Sequence, residues 1–426
     1  MTPGTSLTYR LLARAGFGAL PLVAPFSPKL RAGMAGRREG GKRLRDWAAS
    51  HRNSSAPLLW FHAPSVGEGL QARAILEIIR SRHPDWQLVF THFSPSAESS
   101  AAKQPADVHA YLPPDLPSEV NAALDALRPS ALVFVKLDVW PELATRAASR
   151  GIPVLLAAAT VSPVSGRTGW PARVLTRPAY EAITRAGAIA EADAGRLALL
   201  GVSRDRITIT GDPRFDSVVS MVASAADEKP LLQRMTHKVL VAGSTWGNDE
   251  AVLLEAFSIV RKRVAGARLV IVPHEPTSAH LDAVDQGAQQ RGLPKPVRLS
   301  VAQGDEDLVL LDRVGVLARL YGVGDIAFVG GGFGHAGLHS VLEPAAWGVP
   351  VIFGPNWQSS REAGLLLEAG GAVSIVEREP TTLAEVWLRW LENEPARLAA
   401  GKAAFQVVRS GLGGAAKNAE LVEAAL

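Results

Sequence analysis

FVGGGFGHAGLHSVLEPAAWGVPVIFGP, residues 328–355, lays out an apolar strand, three glycines, a loop, a helix holding Glu343 and Pro344, and a second apolar strand. A strand that returns through a helix to another apolar strand reads as a parallel crossover. The glycines, Gly331 and Gly332 among them, let a nucleotide approach the backbone closely. Glu343 can accept hydrogen bonds from ribose hydroxyls, although Ser340 and Glu343 also stand at capping-box spacing. Upstream, KVLVAG, RLVIVP and LVLL repeat the pattern, so residues 238–395 read as one doubly wound sheet.

The same rhythm begins earlier. LLWFHA, a helix from about Glu68 to Arg82, QLVFTH, a helix near Pro117 to Leu127, ALVFV, a helix after Trp140 and PVLLAAA alternate from residue 57. Continuous apolar strands with helical crossovers belong to a parallel sheet buried on both faces. The expected fold is therefore α/β, with two Rossmann-like doubly wound domains facing an interdomain cleft. The expected divisions are an N-terminal segment 1–45, a first domain 46–223, a polar linker 224–237, a second domain 238–395 and C-terminal helices 396–426. Open sheets of this kind bind ligands beyond the carboxyl ends of their strands, so motifs there count most.

The 426 residues, 47% hydrophobic and 20% charged, suffice for more than one packed core. There is no cysteine, which removes disulfides and thiolate chemistry, and the ten histidines include no HExxH, so no metal is expected. Residues 1–50 hold nine Lys or Arg against Glu39 and Asp46, leaving 36 basic and 39 acidic residues elsewhere. Excess charge confined to one end suits an anionic membrane surface better than a nucleic acid. Residues 15–28, AGFGALPLVAPFSP, are uncharged, shorter than the roughly 20 residues that span a bilayer, and interrupted by Pro21 and Pro25. With Leu7, Leu11 and Leu12 on one helical side and Arg31, Arg37, Arg38, Lys42, Arg43 and Arg45 behind, they read as an interfacial anchor with a basic collar. A packed helix and a cleaved signal are the competing readings.

Four further stretches can carry chemistry. HAPSVGEG, residues 62–69, contains Ser65, a tight turn at Gly67, and Glu68 opening a helix at the crevice lip. That carboxylate can face a substrate, or merely favour the helix dipole. In VFVKLDVWPEL, residues 133–143, Lys136 and Asp138 share a side by period two and can pair with each other. GDPRFD, residues 211–216, offers Arg214 to a phosphate or carboxylate, with Asp212 and Asp216 able to neutralise it. AGSTWGNDE, residues 242–250, sets the Ser244 and Thr245 hydroxyls before a helix, as an oxyanion cradle or as plain N-caps.

HAPSVGE, WPEL, GDPRFD, GSTW, VPH and FVGGGFG followed by HSVLEPAAWGVPVIFGP, in this order across about residues 7–420, resemble the Kdo (3-deoxy-D-manno-octulosonic acid) transferases of lipopolysaccharide biosynthesis. The resemblance implies a GT-B enzyme that moves Kdo from CMP-Kdo to a lipid A precursor, lipid IVA. It implies inversion, no metal and no cofactor beyond the co-substrate, at the cytoplasmic face of a bacterial inner membrane. Its general base falls on Glu68, with Ser65 and Gly67 on the acceptor side and Asp138 and Arg214 as transition-state stabilisers. The donor contacts fall on Pro273, His274, Gly315, Val316, Leu317, Ser340, Val341, Leu342 and Glu343, beside Ser244, Thr245, Gly331 and Gly332. This chain departs from the family's METELWP with VKLDVWP, from PRH with VPHEP and from HNxLEP with HSVLEP, so Lys136 stands where the family has an acid. The alternatives are an inverting GT-B transferase or epimerase using a UDP-sugar, and a catalytically silent membrane-surface binding protein.

Overall fold

A computed structural model describes residues 4–163, 165–228, 231–232, 238–304, 306–334 and 337–426. Of the expected linker, residues 229–230 and 233–237 lie outside the described residues, as do His335 and Ala336 of the glycine-rich stretch. The chain forms two compact units, Met1–Ser217 with Gly411–Leu426, and Val218–Ser410.

The first unit is built on β1 (Leu58–His62), β2 (Gln87–His92), β3 (Val108–Tyr111), β4 (Ala131–Val135), β5 (Val154–Ala159), β6 (Arg185–Ala188) and β7 (Ile207–Ile209). Their spatial order is β3-β2-β1-β4-β5-β6-β7, every pair parallel. β1, β4 and β5 are buried throughout, which is why they read as unbroken apolar runs. The order reverses between β1 and β4, so the loops after these two strands flank a topological switch point.

The second unit repeats the plan with β8 (Val239–Thr245), β9 (Arg268–Pro273), β10 (Val297–Arg298), β11 (Leu308–Leu310), β12 (Ile326–Val329), β13 (Val351–Phe353) and β14 (Ala372–Ser374), again all parallel. The order β10-β11-β9-β8-β12-β13-β14 places its switch point between β8 and β12. β3, β6, β10 and β14 are short or carry polar residues, and periodicity did not single them out.

The N-terminal segment forms α1 (Leu7–Val23), which runs through Pro21, and α2 (Pro28–His51). No residue of α1 is buried; Leu7, Leu11, Leu12, Leu22 and Val23, with Phe26 just beyond, stand exposed. Polar contacts tie its start to the body. Thr5 meets Thr145, the Tyr9 hydroxyl donates to Asp115 at 2.7 Å, and Arg10 donates to Glu142 at 3.0 Å. Burial pushes the Asp115 carboxyl up to about 6, although hydrogen bonds from Tyr9 and the Glu142 and Leu143 amides oppose this. No helix among the described residues is long and apolar enough to cross a membrane. Of the expected collar, Arg31, Arg38, Lys42, Arg43 and Arg45 are exposed, but Arg37 is not. It is buried with its guanidinium 3.7 Å above the Phe93 ring, so it is a packing residue. Helical periodicity explains this, since α2 buries Gly33, Arg37, Gly40, Gly41, Leu44 and Ala48 on one stripe.

After the helix Glu394–Ser410 of the second unit, the chain returns to the first with the helix Gly414–Glu423. There Asp216 accepts the Gly413 and Ala415 amides at 2.8 and 2.9 Å, fastening the start of this last helix. Asn418, fully buried, accepts the Ala158 amide at 3.0 Å where β5 departs from regular register.

Candidate active site

The first helix of the β1 crossover, α3 (Val66–Arg82), begins at Val66 with Ser65 as its N-cap. Gly67 is therefore its second residue, helical and with room for a side chain beside Ser65, rather than the hinge of a tight turn. Glu68 occupies the third position, but Ser65 and Glu68 do not form a reciprocal capping box. The Ser65 hydroxyl donates to Glu68 Oε2, and Lys136 Nζ holds Oε1 at 2.8 Å. Lys136 follows β4 in left-handed backbone, φ 67°, an unusual conformation for a non-glycine residue. This geometry carries its side chain across the switch point from β4 to the β1 crossover.

Lys136 and Asp138 thus do not pair with each other. The Asp138 Oδ2 lies 3.2 Å from His62 Nε2 and accepts Trp140 Nε1 at 2.9 Å, while Oδ1 accepts Arg167 Nη2 at 3.1 Å. Burial works against ionising Asp138, but the hydrogen bond from His62, the Arg167 guanidinium and Trp140 outweigh it and hold the carboxyl below its ordinary value. His62, Trp140 and Arg167 were not singled out by the sequence. His62 is 76 residues from Asp138 in the chain, and only the β1–β4 pairing brings them together.

Arg214 lies at the start of the helix Pro213–Ala226 and forks onto Asp212, with Nε at 3.0 Å and Nη2 at 2.7 Å from Oδ2. Gln71, one turn beyond Glu68, donates to the same Asp212 at 3.3 Å. α3 therefore connects Glu68 with the Arg214 turn. The two acids of GDPRFD divide the work: Asp212 partners Arg214, and Asp216 fastens the final helix.

In the second unit, the loops after β8 and β12 meet at the switch point. Ser244, φ 53°, has no hydrogen-bond partner for its hydroxyl among the described residues. Thr245 is fully buried and donates its hydroxyl to Glu250 at 2.7 Å, so that group is committed inside the fold. Neither is the N-cap; Trp246 is. Asp249 accepts the Trp246 amide at 2.9 Å and the Gly331 amide at 3.0 Å, lashing one loop to the other. A Cβ on Gly330 would lie 2.3 Å from the Ser244 carbonyl, and Gly331 has φ 90° with its position 2.1 Å from the Gly337 carbonyl. Glycine is thus required by the close approach of the two loops and by left-handed backbone. Gly332 also packs closely on Gly354, where a Cβ would lie 2.7 Å from the amide nitrogen.

Pro273 ends β9, and the His274 amide donates to the Thr245 carbonyl at 2.9 Å. The His274 ring stacks against both Trp246, 4.8 Å away, and His339, 4.4 Å away, and these two meet directly, Trp246 Nε1 donating to His339 Nε2 at 3.1 Å. Burial, then His274, lowers His339 to about 4. Gly315, φ 87°, and Val316 lead into the short helix Leu317–Tyr321, whose Leu317 and Tyr321 side chains cover Gly243 of β8. Ser340 is exposed, and the helix Leu342–Ala346 starts after Val341 without a Ser340–Glu343 capping box. Glu343 is consequently left with no hydrogen-bond partner among the described residues, and burial pushes its carboxyl up to about 7. Among the described residues, no three His, Asp or Glu side chains converge as a metal-ligand set.

Two all-parallel seven-stranded sheets, each with its polar residues at the switch point, define the GT-B class shared by glycosyltransferases and sugar-nucleotide epimerases. Over 87% of this chain the fold matches UDP-GlcNAc 2-epimerase from Neisseria meningitidis with TM-score 0.60 at 14% identity, covering 99% of that structure. A glycosyltransferase from Rickettsia africae matches over 87% of this chain and 98% of its own with TM-score 0.56 at 11% identity. Within that class the chain is similar to the Kdo transferases. Residues 38–217 match the family described as 3-deoxy-D-manno-octulosonic-acid transferase. The Haemophilus influenzae 3-deoxy-D-manno-octulosonic acid transferase is 24% identical over 90% of this chain and 91% of its own. The Aquifex aeolicus enzyme of the same name is 28% identical over 75% and 82%.

Proposed function

We propose that the protein transfers Kdo from CMP-Kdo to a lipid A precursor, lipid IVA, in lipopolysaccharide biosynthesis. The observation that carries this reading is the switch point of the first unit, where Glu68 sits held by Ser65 and Lys136 within a chain whose relatives are Kdo transferases along most of their length. In this reading Glu68 takes the proton from the acceptor hydroxyl as it attacks the anomeric C2 of Kdo, and CMP departs from the opposite side with inversion. Asp138 and Arg214 balance charge in the transition state, and Ser65 and Gly67 lie on the acceptor side. The second unit holds CMP-Kdo through Pro273, His274, Gly315, Val316, Leu317, Gly331, Gly332 and residues 340–343, with Ser244 and the backbone at Thr245. CMP leaves as a stable phosphate monoester, so the proposed route uses helix amides and arginine without a metal or other cofactor.

The exposed apolar side of α1 and the exposed basic residues of α2 support peripheral binding to an anionic membrane, proposed here to be the cytoplasmic face of the inner membrane. The test is transfer of labelled Kdo from CMP-Kdo, generated in situ, to a tetra-acylated lipid A precursor with EDTA present. A product heavier by one or more Kdo units is expected. A folded protein that binds UDP instead of CMP and forms no product would overturn the reading.

The unpartnered Glu343 makes a second expectation. If its carboxylate accepts the ribose hydroxyls, binding requires the ionised form, and a group at about 7 is largely protonated at pH 6. CMP affinity should rise about tenfold from pH 6 to pH 8 in the wild type beyond any change in Glu343→Gln, the ratio of the ionised fractions of a group at about 7. Calorimetric titrations at the two pH values measure it; parallel curves for the two proteins would remove Glu343 from the ribose site.

A further inference from the structure

Asp138 ends a line of hydrogen bonds that starts inside the first sheet. Trp60 Nε1 lies 2.9 Å from Thr91 Oγ1, Thr91 Oγ1 lies 3.1 Å from His62 Nδ1, and His62 Nε2 lies 3.2 Å from Asp138 Oδ2. Trp60, His62 and Thr91 are fully buried. Trp60 and His62 share a face of β1 by period two, and Thr91 of β2 is the register partner of His62. The line is therefore set by strand pairing rather than by surface rotamers.

The chemistry of each atom orients it. An indole nitrogen only donates, so Thr91 accepts from Trp60 and keeps its own proton for a second bond. His62 Nδ1 at 3.1 Å is closer to Thr91 than the alternative acceptor, the Phe61 carbonyl at 3.3 Å. At the other end a carboxylate oxygen only accepts. A bare Nε2 at 3.2 Å would set lone pair against lone pair, so Nε2 carries the ring proton. Trp140 Nε1, 3.2 Å from His62 Nε2, then has its acceptor in Asp138 at 2.9 Å.

We propose that His62 is a positioning residue, fixed by Thr91 as the Nε2–H tautomer, whose role is to orient the Asp138 carboxylate with Oδ2 toward the imidazole and Trp140 and Oδ1 toward Arg167. The proposal rests on the reading of Asp138 as a charge-balancing residue in transfer. A histidine oriented by a hydroxyl and aimed at a carboxylate follows the logic by which a second partner selects a ring tautomer.

Two amides separate the two ends of the ring. His62→Gln puts a donor near the Nε2 position, whereas His62→Asn puts its amide near Nδ1 and leaves Asp138 without that bond. Transfer by His62→Asn should lose about 100-fold in kcat with KM within about twofold, and His62→Gln should lose about tenfold or less. Thr91→Val should lose about fivefold alone and nothing further in the His62→Gln background, because Thr91 acts only through the ring. The direct readout is the nitrogen NMR spectrum of histidine-labelled wild type without substrate. It should place the proton on Nε2 of His62, and Thr91→Val should mix the tautomers. A proton on Nδ1, equal losses in the Asn and Gln variants, or additive losses from Thr91→Val would each overturn the proposal. Because the spectrum needs no transfer, an inert wild type would sink the activity reading while the tautomer still decides this one. Should the His62 variants fail to fold, wild type and Thr91→Val suffice.

Discussion

Glu68→Gln is expected to lower Kdo transfer at least about a thousandfold while the dissociation constant for CMP stays within about twofold. The magnitude follows from the loss of a general base, which contributes typically 10²–10⁴ in rate. The amide retains the size of the carboxylate and can still meet Ser65, so the start of α3 should be undisturbed. It loses the ion pair to Lys136, which is 43% exposed at its side chain and can turn to water at little cost. Unchanged CMP binding is expected because the donor contacts belong to the second unit. Transfer rates for both proteins under saturating donor, together with calorimetric CMP titrations, decide the matter. A variant that keeps a tenth or more of wild-type transfer would return Glu68 to the status of a first-turn acid.

The second large effect concerns α1. Changing Leu11, Leu12, Leu22 and Phe26 together to Ser should reduce partition onto anionic phospholipid vesicles by at least about 100-fold. Each large apolar side chain removed from water is worth roughly 1.5–3 kcal/mol, so even partial immersion of four exceeds that factor. These side chains are exposed, with Phe26 at 86%, and the attachment through Thr5, Tyr9 and Arg10 is untouched. Folding and turnover on a detergent-dispersed acceptor should therefore persist. Co-sedimentation with vesicles at two salt concentrations separates the apolar contribution from that of the basic residues of α2, which salt screens. Undiminished sedimentation of the four-Ser variant at high salt would refute an apolar anchor.

The strands that carry the site were legible because each is an apolar run buried on both faces, and the strand ends located Glu68, Lys136, Asp138 and the glycine loop. What sequence spacing did not reveal is who partners whom. Lys136 and Asp138, two apart, looked like a pair, yet left-handed backbone at Lys136 turns it to Glu68 while Asp138 faces His62 and Arg167. Arg37 looked like one more collar cation, but α2 needs glycines and a flat guanidinium where it crosses Tyr111 and Phe93. The Ser340–Glu343 spacing promised a cap, but the helix begins a residue too late to form one. Each miss is a contact fixed by strand order or helix phase, neither of which local pattern contains.

The return of residues 411–426 to the first unit bears on how the chain comes off the ribosome. Ala419 and Val422 fill the same core layer as Ile75, Ile79, Phe61 and Leu155. The bulged Ala158 amide waits for Asn418. The whole of Val218–Ser410 must be translated before those partners emerge, a delay of roughly 10–40 s at 5–20 residues per second. During that interval the nascent first unit has every strand but an uncovered apolar face, which makes it a client for chaperones. The second unit, contiguous in the message, can finish folding first, so synthesis order and folding order run opposite ways.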